Sequence, residues 1–237
     1  FTLVVTICAA IETLSAPVRQ AVLPRLSAFH ATSDQAALEN LYGHAARFVA
    51  YLMCPFVIVL VVYPEAAIFA WTGDLAAAEW CKTVLPWFAL AYILRTITAF
   101  TFYLQYAYGD LKLQLRFSTG LAIVCMPLII LLAEVRGPAE IGLLWVLVRA
   151  AELLLWMPYV HRRFLSTPHP QWVVMNVVPP ALGAALLAGL LFQNLQIEPQ
   201  GQLDVALQVA TIGGGAGILA LLAFWTHLHV GARLRSS

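Results

Sequence analysis

At 237 residues, with 62% hydrophobic and 11% charged side chains and a mean hydropathy of +0.83, the chain lies far from the soluble range, where about 25% of residues are charged. A soluble globular protein is excluded, and an integral membrane protein remains. The formal net charge of +1 says little as a total, and no nucleic-acid partner is expected; the placement of the charges is what informs.

A spanning helix needs about 17–25 residues to cross the ~30 Å hydrocarbon layer. Seven segments qualify, near 1–23, 46–63, 83–108, 117–133, 141–160, 172–193 and 205–226. Continuous runs such as VIVLVVY and LIILLA contradict the strict alternation of a closed barrel. The expected fold is therefore all-α, a polytopic membrane helix bundle with about seven transmembrane helices.

The first span begins with Phe1 already in an apolar run, without Met or a signal-peptide layout, so the chain is expected to be the back part of something longer. Cys8, Glu12, Ser15 and Arg19 fall along one helical stripe. Glu12 and Arg19 are seven residues apart, about 10.5 Å along a straight axis, which is too far for direct contact. Each is expected to find another partner, and Pro17 between them predicts a kink. The span is read as ending around Leu23-Pro24-Arg25-Leu26-Ser27. Ser33 and Asp34 then cap a short amphipathic helix near 34–46, with Leu38, Leu41, Tyr42 and Ala45 at helical spacing, running into span two.

Span two carries no charge after Arg47 and reads as scaffold, with Tyr51 and Tyr63 at the two water interfaces. The outer loop that follows holds Pro64, Trp71, Gly73 and Asp74, with a turn of helix at Ala66–Phe69 lying in the interface. Span three is two-faced: Tyr92, Arg95, Thr98, Phe102, Gln105 and Tyr106 form a polar arc opposite Ile93, Ile97, Phe100 and Leu104. Span four contains Pro127 and no charge. Span five carries a stripe of Gly142, Trp145, Arg149, Glu152, Trp156 and Tyr159. Spans six and seven have no ionisable residue within the layer, and the glycine run at 212–217 reads as small-residue helix packing, not a phosphate loop.

Arg25, Arg47, Lys112, Arg116, Arg162, Arg163, Arg233 and Arg235 fall on one side of these spans, and only Lys82 and Arg136 on the other. The bias assigns the first side, with the C-terminus, to the cytoplasm. Glu65, Asp74, Glu79, Glu134, Glu140, Glu198 and Asp204 gather on the outer side.

Three phrases carry a family resemblance. The first runs from "PRLS" through a short helix containing Leu41-Tyr42 and Arg47 to "WTGD" at 71–74; the second is "YAYGDLKL" at the inner end of span three; the third is "WMPYVHRRFL" followed by Trp172 and Pro179-Pro180. Together they resemble polysaccharide-biosynthesis flippases of the multidrug/oligosaccharidyl-lipid/polysaccharide exporter superfamily. That resemblance implies a bacterial inner-membrane flippase for undecaprenyl-pyrophosphate-linked oligosaccharides, acting by alternating access between two helical halves. It also implies that the helices of the first half are missing partners, and that this C-terminal portion would not transport alone. Residues 1–163 are read as the cavity-forming bundle and 172–229 as two peripheral helices.

Charges within the layer are Glu12, Arg19, Arg95, Arg149 and Glu152, on spans one, three and five only. Each costs about 2.5–3.5 kcal/mol or more facing lipid at a helix centre, so these spans are expected to line something polar while the others wrap around them. Two readings stay open. In one, Arg149 satisfies Glu152, and Glu12 satisfies Arg95 across helices. Alternatively, three arginines against two carboxylates favour an anionic headgroup, with Tyr92, Trp145 and Trp156 packing against sugar faces.

No enzymatic constellation is present: there is no G-x-S-x-G, H-E-x-x-H or Walker phosphate loop. Cys8, Cys54, Cys81 and Cys125 lack ligand spacing and read as small buried residues. His30, His44, His161, His169, His227 and His229 map to the cytoplasmic edge or loops, which speaks against a buried site, and His227 and His229 diverge around their helix. No cofactor or metal is expected. The alternatives are a drug or metabolite exporter of the same superfamily, a seven-helix receptor, and a membrane glycan polymerase or acyltransferase.

Overall fold

The computed structural model describes residues 2–194, 197 and 201–235. Phe1 and Glu198 lie outside them, as do the side chains of His229, Arg233 and Arg235. Among the described residues every element is helical. Five helices are long and apolar enough to cross a membrane, or seven if each of two bent pairs is one span.

The first bent pair is α1 (Thr2–Leu14) and α2 (Ala16–Ala31), which meet at 45°. Pro17 has no N–H to continue the ladder, and the Ser15 hydroxyl and amide both turn back onto the Glu12 carbonyl, at 2.7 and 3.0 Å. Pro24, in contrast, does not end the span. The helix continues to Ala31 because Val22 and Leu26 on the flanking turns are buried against the next helix.

That next helix, α3 (Gln35–Val62), absorbs the short amphipathic stretch and span two into one 28-residue rod. Ser33 at φ 56 makes the turn into it, and the Asp34 carboxylate accepts the Ala37 amide at 3.0 Å as its cap. This helix is the hub, contrary to its expected place around the outside. Sixty-one per cent of its most apolar stretch is buried, against 6% for the fourth span. The cause lies in its residue types: Ala45, Ala46 and Ala50 beside Val49 and Met53 present no charge to satisfy, and their small size lets neighbours close on every side. Tyr51 and Tyr63 both tie helices together. Tyr51 lies edge-on to Phe224 at 5.8 Å, and the Tyr63 hydroxyl donates to the Leu191 carbonyl at 2.9 Å.

Two short helices, α4 (Pro64–Thr72) and α5 (Leu75–Cys81), form the connection. Gly73, at φ 70, closes α4, and Asp74 caps α5 by accepting the Ala76 and Ala77 amides. Lys82 beside them is held above its ordinary pKa by its hydrogen bond to Glu65 and by the charges of Glu65 and Glu79. The third span is α6 (Leu85–Thr98) and α7 (Phe100–Ala107), and the fourth is α8 (Leu111–Val135). The fifth comprises α9 (Pro138–Ala151), a one-turn π-helix at Glu152–Trp156, and α10 (Met157–Phe164). The second bent pair, α11 (His169–Asn176) and α12 (Val178–Asn194), meets at 41° beside Pro179-Pro180. Last is α13 (Gln202–Arg235). Of its glycine run, Gly213 lies against Val59, whereas Gly214, Gly215 and Gly217 face open space.

Tertiary contacts gather the connections at two ends. Asp110–Arg163 at 2.8 Å and Gln35 on the Phe164 carbonyl at 2.9 Å mark one end. Lys82–Glu65 at 3.1 Å and Gln202 on the Ala70 carbonyl mark the other. Both α12 and α13 lie on α3, while α8 leans on the bundle along one narrow edge, its apolar surface mostly open.

Candidate functional site

The charges expected within the layer form two groups among the described residues. In the first, Glu12 of α1 is shared by two arginines: Arg95 of α6 reaches it at 3.0 Å and Arg19 of α2 at 3.8 Å. The direct Glu12–Arg19 approach, excluded for a straight helix, is made possible by the bend at Ser15 and the long arginine side chain. The same guanidinium donates to Ser15 Oγ at 2.6 Å, which fixes it against the break. Arg95 also lies over the Tyr92 ring, 5.6 Å from its centroid. Tyr103 of α7, which the periodicity did not single out, sits near enough to feel all three charges. Two cations on one carboxylate leave the group formally positive, and Arg95 is its more open member. Arg95 is 47% exposed at the side chain, against 20% for Arg19 and 17% for Glu12.

The second group is Trp145, Arg149, Glu152 and Trp156. Arg149 donates to Glu152 at 2.6 Å, three residues on, and lies over the Trp145 ring at 5.4 Å. The carboxylate is 7% exposed and opens the π-turn. Trp156, at its end, stacks on Phe117 of α8 at 4.1 Å and 11°, and its buried Nε1 finds no acceptor among the described residues. A cleft of about 530 Å³ between α8 and α9 runs past Glu152, Trp156 and Tyr159.

Among the described residues, the charges of spans one, three and five, expected to line something polar, lie in two separate places. Spans one and three come together at Glu12, and the closed space beside Glu12 and Tyr92 is about 10 Å³, room for roughly one water. The span-five group shares no ion pair, hydrogen bond or cleft with it among the described residues. Arg149 is taken up by Glu152 on its own helix, and the π-turn that begins at Glu152 shifts the phase of the second half of the stripe, Trp156 and Tyr159, relative to the first.

A third cluster overturns the expectation that the histidines are peripheral. His161 of α10 is fully buried, and its Nε2 lies 2.9 Å from the Tyr42 hydroxyl of α3. Its Nδ1 lies 3.1 Å from Nδ1 of His169, and Trp172 packs edge-on against it at 4.9 Å. A contact between two ring nitrogens at this distance requires one to carry a proton and the other none. The signal was present in the sequence: His161 shares a helical stripe with Met157, Val160 and Phe164, all buried. Beside this cluster, Glu39 of α3 accepts the amides and hydroxyls of Ser166 and Thr167 and the Gln35 side chain, at 2.6–3.2 Å. It closes the α10–α11 turn. Glu39→Ala should lower the stability of the purified protein by about 1–2 kcal/mol through these lost charge-assisted bonds. Glu39→Gln, which keeps an acceptor oxygen, should lose less. Equal melting temperatures for wild type and Glu39→Ala would show that the turn is held by other contacts.

Among the described residues no three His, Cys, Asp or Glu side chains converge on a possible metal position. No family model, curated protein or solved structure matches the chain.

Proposed function

We propose that this chain forms part of a flippase for lipid-linked oligosaccharides of cell-surface polysaccharide biosynthesis, in the bacterial inner membrane with its C-terminus cytoplasmic. The observation that carries this reading is the position of Arg95. It lies ten residues into a 23-residue span, about 15 Å from one end and therefore near mid-layer, with 47% of its side chain open. A guanidinium cannot face lipid tails there without a cost of about 2.5–3.5 kcal/mol or more. The open side of α6 thus faces a wet cavity completed by further helices, supplied by another segment or another chain.

The pyrophosphate of an undecaprenyl-linked saccharide suits that guanidinium. Its planar fork offers paired hydrogen bonds to phosphate oxygens, and the Glu12 group carries the excess positive charge. Alternating access would move the helices around this point. The role requires binding and release, so no enzymatic step is assigned and no cofactor is invoked.

The test is a set of three variants, Arg95→Lys, Arg95→Ala and Arg95→Ala with Glu12→Ala, expressed in cells and read as surface polysaccharide per unit of membrane-inserted protein. A lost charged contact of about 1.5–3 kcal/mol corresponds to roughly 10- to 100-fold less display for Arg95→Ala, with Arg95→Lys in between. The double variant should stay as poor as Arg95→Ala. Recovery in the double variant would reduce Arg95 to an interhelical ion-pair partner and remove the substrate role.

A further inference from the structure

The most spacious cleft described here lies away from both charge groups, between α10 and α11 where the fifth span ends, and has a volume of about 810 Å³. Its lining changes character with depth. Leu154, Pro158 and Arg162 succeed one another at intervals of four along one face, so the cleft runs about 10–12 Å from an apolar inner part to a cationic rim. Val173 and Val174 of α11 form the facing apolar wall. Leu154 and Val174 are 66% and 60% exposed, so the wall is bare in the isolated chain.

The rim has one unsatisfied charge. Arg163 is paired with Asp110 at 2.8 Å, whereas Arg162 is exposed and makes no ion pair or hydrogen bond among the described residues. Glu39, which holds the α10–α11 turn, does not line the cleft, and its oxygens are occupied by Gln35, Ser166 and Thr167. An apolar trough with a free guanidinium at its water-facing mouth matches one class of molecule in size and polarity.

We propose that this cleft holds an anionic phospholipid of the adjacent leaflet, its headgroup phosphate on Arg162 and an acyl chain between Leu154, Pro158, Val173 and Val174. Depth selects a lipid. The polar contact sits at the end of the spans, where headgroups lie, and the apolar part extends inward from it. A soluble anion would use the rim but leave the trough uncovered. This site is independent of the proposed transport function, since it shares no residue with either charge group.

The test uses the full chain reconstituted in phosphatidylcholine vesicles containing trace photoactivatable phosphatidylglycerol or phosphatidylcholine, each labelled on the acyl chain. Cross-linked peptides are mapped by mass spectrometry. The 154–174 region should take up phosphatidylglycerol several-fold more than phosphatidylcholine. Arg162→Gln should bring the two to parity, and Val174→Trp, which fills the trough, should reduce both. Arg162 is exposed and its replacement leaves the core intact; a thermal melt on each variant verifies this. Equal labelling by the two lipids in the wild type would overturn the proposal. So would phosphatidylglycerol preference that survives Arg162→Gln, or labelling displaced by excess inorganic phosphate, which would identify a free-anion site.

Discussion

Arg149→Ala should destabilise the protein by about 3–5 kcal/mol. Glu152 is 7% exposed, and Arg149 Nη1 at 2.6 Å is its partner. Removing the arginine leaves a buried carboxylate without its cation, and the desolvation of that group, not the lost attraction, sets the size of the loss. The double variant Arg149→Ala with Glu152→Ala removes both charges and should regain most of the deficit, even though two side chains have been shortened. Denaturation of the purified protein in a fixed detergent, for both singles and the double, measures the coupling. A double variant as unstable as Arg149→Ala alone would mean that packing over Trp145, and not charge, holds this turn.

The second large effect is steric. A Cβ at Gly142 of α9 would stand 2.8 Å from the Trp87 Cβ and 2.9 Å from a Phe88 ring carbon of α6. The Trp87 Cβ is fixed to its backbone and cannot swing aside, so the helices themselves must part. Gly142→Val should cost about 1–3 kcal/mol from overpacking, and more if the α6–α9 contact opens along its length. Gly142→Ala should show the smaller part of the same loss. Because α6 also carries Arg95, reduced inserted protein is expected together with a disturbed Arg95–Glu12 contact in whatever remains. A neutral melting temperature for Gly142→Val would show that α6 and α9 have freedom to separate.

Much of this architecture was legible because hydrophobic length and charge alternation are local properties of a sequence. The all-helical character, the kink at Pro17 and the Asp34 cap could be read from composition and spacing alone, while the seven expected segments correspond to five long apolar helices, or seven if each bent pair is one span. The Arg149–Glu152 and Glu12–Arg95 pairs were one of the two readings that the sequence left open, the first on its i,i+3 spacing, and the structure contains both contacts. What escaped was everything that depends on departures from straight helices. Glu12 and Arg19 meet because the chain bends between them. The span-five stripe misleads because a π-turn lies inside it. The position of α3 at the centre was hidden for a different reason: an uncharged apolar helix reads alike whether protein or lipid surrounds it. Burial of His161 was recoverable from its stripe, but the polarity of the residue and its place beside Arg162 and Arg163 argued for the surface.

The π-turn at Glu152–Trp156 separates the fifth span into two rotational frames. Five residues wound at about 4.4 per turn instead of 3.6 lag a regular helix by roughly a quarter turn by the time α10 begins. Upstream of it, Gly142 and Arg149 are set by the fit of α9 on α6; downstream, His161 and Phe164 are set by the fit of α10 on α3 and α11. A uniform α-helix has one phase and could not be tuned to both neighbours at once. The extra residue therefore works as a phase shifter, letting each half of one continuous rod keep its own docking angle while the axis passes through unbroken.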